Sequence, residues 1–167
     1  MPMKPIPLLV AACVVAVPVL VLAIQGARSR RNPPASLGPA GDGLAACPSS
    51  PNCVGSSERA GRRSEAPLRH RGSPDETRRR LLDALQRFPR ARIVTDAWPY
   101  LHVEFQSRWF GFVDDVEFLS NDANGRIDFL SASRVGYYDL GVNRRRMAEL
   151  RRLFEGAEGS ADAEAAP

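Results

Sequence analysis

His102, Asp115 and Glu117 are the residues of this chain whose types suit proton transfer or metal ligation. A histidine beside two carboxylates supplies a base, an acid and several ligand atoms, provided that all three meet on one surface. Residues 100–108 alternate strictly, with Leu101, Val103 and Phe105 facing one way and His102, Glu104 and Gln106 the other. In the run FVDDVEF, Asp115 and Glu117 alternate in the same manner against Asp114, Val116 and Phe118. The three groups, with Tyr100 and Glu104, are therefore expected on the open face of a sheet that buries its other side. An enzyme or metal-binding protein using these residues is one reading. The chain holds no Walker loop, zinc spacing or nucleophile elbow, and no complete ligand set or activated nucleophile. No cofactor and no metal are expected. The preferred reading is a small binding or structural module that grips an apolar ligand or a partner protein.

The elements that must position these groups are legible. Ser73, Pro74 and Glu76 form a capping box with proline at the first helical position, and Leu81, Leu82, Leu85 and Phe88 make the apolar stripe that follows. Residues 66–70 and 93–97 read as strands, Trp98-Pro99 as a turn, and residues 100–108, 110–119 and 126–133 as three more strands. Asn143 is a good N-cap for a last helix whose Met147, Leu150 and Phe154 face the core. The order β-α-β-β-β-β-α predicts an α+β domain, a curved antiparallel sheet with two helices on one face, of TATA-binding-like or helix-grip-like architecture.

One apolar helix is expected ahead of that domain. Residues 6–24 carry no charge and are long enough to cross the roughly 30 Å hydrocarbon core of a bilayer. Gln25-Gly26-Ala27 is a poor cleavage site, so residues 1–27 read as a retained single-span anchor and not as a removed signal. Residues 28–46 are Pro/Gly-rich and read as a linker, residues 47–154 as the folded domain, and residues 155–167 as a disordered acidic tail. Arg28, Arg30 and Arg31 after the span favour a cytoplasmic domain by the positive-inside rule. Cys47 and Cys53 favour the opposite side, because they flank a Pro/Ser turn that a short disulfide could close; two reduced thiols are the alternative. The expected location is the inner membrane, single-pass, with the domain on the non-cytoplasmic side. Nucleic acid is not expected as a partner: of 23 basic residues only Lys4 is lysine, and they are scattered without interleaved aromatics.

Three runs, CPSSPNC, FVDDVEF and SASRVGYYDLGVNRRR, occur in this order and resemble the domain-of-unknown-function family 1499 across residues 47–154. The resemblance implies no established activity and no catalytic residues. It implies an arginine where this chain has Leu130. Within the third run Arg134 and Tyr138 join His102, Asp115 and Glu117 as candidate binding residues. Asp114, Ser131, Ser133, Gly136, Asp139, Gly141 and Asn143 are expected to be structural. Pairing Phe118 with Ile127 would set Asp114 by Ser131 and Asp115 by Leu130. Asp114 is then the buried acid, satisfied by hydrogen bonds or by an arginine near the last helix, and Asp115 is a surface acid lacking the family's arginine.

Overall fold

A computed structural model of the chain describes residues 6–58 and 61–164. Helix α1 (Ile6–Arg31) leads into a small hairpin, β1 (Pro39–Ala40) and β2 (Gly43–Leu44). Then follow β3 (Cys53–Gly55), β4 (Leu68–Arg69), α2 (Pro74–Gln86), β5 (Ala91–Ala97), β6 (Tyr100–Gln106), β7 (Val113–Asn121), β8 (Arg126–Ser133) and α3 (Val142–Glu164). The strands of the main sheet pair antiparallel in the order β3-β8-β7-β6-β5, and β4 shares the outer edge of β8 with β3. The expected α+β class and antiparallel sheet are present. Cys53–Gly55 is a strand that the sequence pattern did not announce, because three residues are too few to show alternation.

One face of the sheet packs on α2 and α3. Leu101, Val103, Val116, Phe118, Ile127 and Phe129 meet Leu81, Leu85, Met147, Leu150 and Phe154 in the main core. Helix α2 starts at the expected capping box, with Ser73 and Glu76 satisfying each other's backbone. Helix α3 runs on through Glu164, where a disordered tail was expected. Its Ala and Glu residues favour helix, and turns already buried on the sheet nucleate the extension. Residues 165–167 of that tail, and Lys4 ahead of the span, lie outside the described residues.

The β7–β8 register differs from the expected one by two residues. Phe118 faces Phe129, Asp114 faces Ser133, Asp115 faces Ala132, and Glu117 faces Leu130. The loop explains the shift. Asn121 accepts the Asn124 N–H, residues Asp122–Asn124 make a 3-10 turn, and Gly125 turns left-handed at φ 55°, so pairing persists to Asn121 and Arg126. A shift of two preserves every face, which is why the core assignment survives it.

The second face is not open. Of residues 28–46, expected as a linker, 28–31 continue α1 and 32–46 cross over this face. Leu44 is buried on Cys53 and Leu130, beside Cys47, Tyr100, Leu119 and Ala132. The Cys47–Cys53 disulfide is formed and ties the crossing segment to β3. Its loop is short, so its stabilisation should fall below the roughly 3 kcal/mol of a fifteen-residue loop.

Candidate functional site

Beneath this cover lies a polar network on β6, β7 and the chain after β8. Arg134 is its hub. Its Nε donates to Asp115 Oδ2 at 2.7 Å, and one terminal nitrogen donates to Asp115 Oδ1 at 2.7 Å and Glu104 Oε1 at 2.5 Å. The other terminal nitrogen donates to the Ser29 carbonyl at 3.1 Å, which places a cation at the C-terminal end of α1. His102 Nε2 lies 2.8 Å from Asp115 Oδ1, and Arg92 holds the far oxygen of Glu104 at 2.6 Å.

Asp115 is 3% exposed, so it is not the surface acid that the alternation suggested. The cation is present too. Leu130 stands opposite Glu117, and Arg134 reaches Asp115 from beyond the end of β8. Burial alone would raise the Asp115 carboxyl, but hydrogen bonds from Arg134 and His102 outweigh it and hold the group below the ordinary carboxylate range. Glu104 is likewise lowered, with burial opposing the hydrogen bonds of Arg92 and Arg134 that win. Hydrogen bonding to Asp115, which accepts from it, raises the Arg134 guanidinium against a smaller burial effect.

Glu117 lies next to this network and is separate from it. The Tyr100 hydroxyl donates to its Oε1 at 2.7 Å and the Gly38 N–H at 2.5 Å. Burial, then the bond to Glu117, pushes the Tyr100 hydroxyl upward. Of the five candidate binding residues, His102, Asp115 and Arg134 are thus in direct contact. Glu117 adjoins them, and Tyr138 belongs elsewhere. Among the described residues no group of three or more His, Cys, Asp or Glu is placed to hold a metal ion.

The residues expected to be structural form two further clusters. Asn143 does not cap α3. It sits in the first turn, fully buried, accepting from Ser131 Oγ at 2.7 Å and donating to the Asn52 carbonyl and Ser133 Oγ. Asp139 does the capping, accepting the N–H groups of Gly141 and Asn143 at 2.9 Å each, and these hold its carboxyl low against burial. Gly136 bends at φ 86° and its carbonyl accepts from Asn52. Asp114, 13% exposed at its side chain, pairs with Arg146 at 2.5 Å as an arginine near the last helix should. The sequence pattern missed Ser29, Asn52 and Arg92. A Pro/Ser turn and an Arg-rich composition hid their roles.

Tyr138 lines a groove of about 480 Å³ between the C-terminal half of α1 and the sheet edge. Val21, Leu22, Phe112, Leu140 and Val142 are among its other apolar walls. Helix α1 is fixed there by its last turns. Ser29 Oγ accepts the Val113 N–H at 2.8 Å and donates to the Val113 carbonyl, and Arg30 donates to the Phe110 and Gly111 carbonyls. Gly26 permits the approach, since a Cβ on it would lie 1.9 Å from the Phe110 carbonyl oxygen. Leu140 holds a left-handed φ of 54° and is 79% exposed.

A family model described as Protein of unknown function (DUF1499) matches residues 43–154. No curated protein and no solved structure matches the chain.

Proposed function

We propose, for a chain that belongs to the family described as Protein of unknown function (DUF1499), that it is a single-span envelope protein whose domain holds a lipid acyl chain at the bilayer surface. The observation that carries this reading is the groove shared by Val21 and Leu22 of α1 with Tyr138 and Leu140 of the domain. Residues 10–31 are apolar enough to span, and most of the window is exposed. At 1.5 Å per residue, a span over residues 6–24 is about 29 Å long, so its hydrocarbon-facing part ends near Ile24. Val21 and Leu22 then lie just under the hydrocarbon surface, and the groove opens at that level.

Leu140 supports this placement. A left-handed leucine costs on the order of 1 kcal/mol in backbone energy, and its exposed side chain gains nothing in water. Beside the last turns of a membrane helix the same side chain enters lipid. Trp109, 81% exposed, and the exposed pair Tyr137 and Tyr138 stand near the same end, as aromatic residues do at bilayer interfaces. A removed leader is the competing reading. Against it, cleavage after Ala27 would remove Gly26 from its close packing on the Phe110 carbonyl and leave Ser29 and Arg30, which bond Val113, Phe110 and Gly111, at a free chain end. The disulfide supports a non-cytoplasmic domain.

Full-length protein extracted in mild detergent should retain about one phospholipid per chain by native mass spectrometry. Leu140→Asp should lose it while keeping the fold, because aspartate tolerates the left-handed backbone and removes only the apolar contact. Purification free of lipid, or an aspartate variant that retains it, would count against the proposal.

A further inference from the structure

A second cavity, of about 300 Å³, lies under the crossing segment on the polar face of the sheet. It touches the membrane-side groove only through the shared residues Ser133, Val135 and Gly136. Leu37, Leu130 and Ala132 are apolar parts of its wall, and Asp115, Glu117 and Arg134 are the charged parts. Glu117 is 0% exposed, and its Oε2 has no hydrogen-bond donor from the protein. That oxygen decides the chemistry of the cavity.

A buried carboxylate without charge compensation is costly, and leaving one of its oxygens unbonded adds to the cost. The two donors that reach Glu117, the Tyr100 hydroxyl and the Gly38 N–H, are neutral and both serve Oε1. The cations of the neighbourhood are committed elsewhere. Arg134 spends its guanidinium on Asp115, Glu104 and the Ser29 carbonyl, Arg92 pairs with Glu104, and His102 gives Nε2 to Asp115. An anionic ligand would meet two carboxylates and an arginine already occupied. A divalent metal would find Asp115 bound by Arg134 and His102, leaving Glu117 as its one uncommitted carboxylate. A compact donor carrying positive charge, with an apolar body for Leu37 and Leu130, satisfies every wall.

We propose that this cavity binds a small primary amine, whose ammonium group donates to Glu117 Oε2 and whose alkyl body lies against Leu37, Leu130 and Ala132. The volume is at the small end for ligand pockets, which limits the body to a few carbons. The site is independent of the lipid reading, since none of its walls comes from α1.

The probe is n-propylammonium, with n-propanol as its neutral counterpart at matched ionic strength. Saturation-transfer NMR on full-length protein in detergent should show saturable ammonium binding, and binding of the alcohol at least about tenfold weaker, a gap of 1.4 kcal/mol. Glu117→Gln should abolish the preference for the ammonium. Ala46 is an exposed residue of the cavity wall, so Ala46→Trp should block the probe without disturbing the core, whatever Glu117→Gln does to folding. Equal binding of the two probes, absence of saturable binding, or binding that survives Ala46→Trp would overturn the proposal. Absence of saturable binding would mean that Oε2 is served by water alone.

Discussion

Arg134→Ala should destabilise the domain by about 3–5 kcal/mol, the cost of leaving a buried ion pair without one partner. The arginine side chain is 2% exposed and Asp115 3%, so solvent cannot replace the lost contact. Glu104 loses one of its two guanidinium partners, and the C-terminal end of α1 loses its cation. Asp115→Ala belongs to the same class and should be far from silent. The two substitutions share one interaction, so the double variant should cost clearly less than their sum. Acid supplies an independent check. Asp115 and Glu104 are lowered in the folded protein, so the stability they contribute is present above their unfolded values of about 3.9 and 4.3. It is lost as pH falls through the folded values. Without Arg134 the burial of Asp115 is opposed only by His102. The gap between wild type and variant, read from urea melts, should therefore narrow below about pH 4.

Gly26→Leu should separate α1 from the domain. The Cβ alone would stand 1.9 Å from the Phe110 carbonyl oxygen, a distance no real contact allows, so the helix must move. The main core draws no residue from α1, and the domain should stay folded with its disulfide intact. The groove loses the wall formed by Val21 and Leu22, so retained lipid should fall at least about tenfold. A leucine variant that holds lipid as wild type does would detach the groove from function.

The helix-facing half of the fold was legible in the sequence, and the other half was not, for one physical reason. Alternation separates apolar from polar positions, and it equates polar with solvated. That held for Leu101, Val103, Phe105, Val116 and Phe118, which are all buried. It failed for His102, Asp115 and Glu117, which are buried as well, because residues 32–46 cover them and Arg134 compensates Asp115. The covering segment has no hydrophobic period, so nothing in its composition announced that Leu44 would pack on Cys53 and Leu130. Capping failed in a similar way at Asn143. Its residue type suits an N-cap, but Asp139 reached the free N–H groups first, and Asn143 instead joins Ser131, Ser133 and Asn52. Of the three arginines in the first turn of α3, unfavourable beside a helix N-terminus, Arg144 and Arg146 are matched by Glu65 and Asp114, and Arg145 donates to the Leu140 carbonyl.

The placement of the domain against the bilayer is tested most directly by the fluorescence of Trp109. Trp98→Phe removes the other tryptophan, which packs against the core, and leaves Trp109 as the reporter one residue from the Phe110 contact with Gly26. In vesicles containing phospholipid brominated near the headgroup end of its acyl chains, Trp109 emission should be strongly quenched and shielded from aqueous iodide. Emission untouched by the brominated lipid and open to iodide would contradict a domain seated on the membrane.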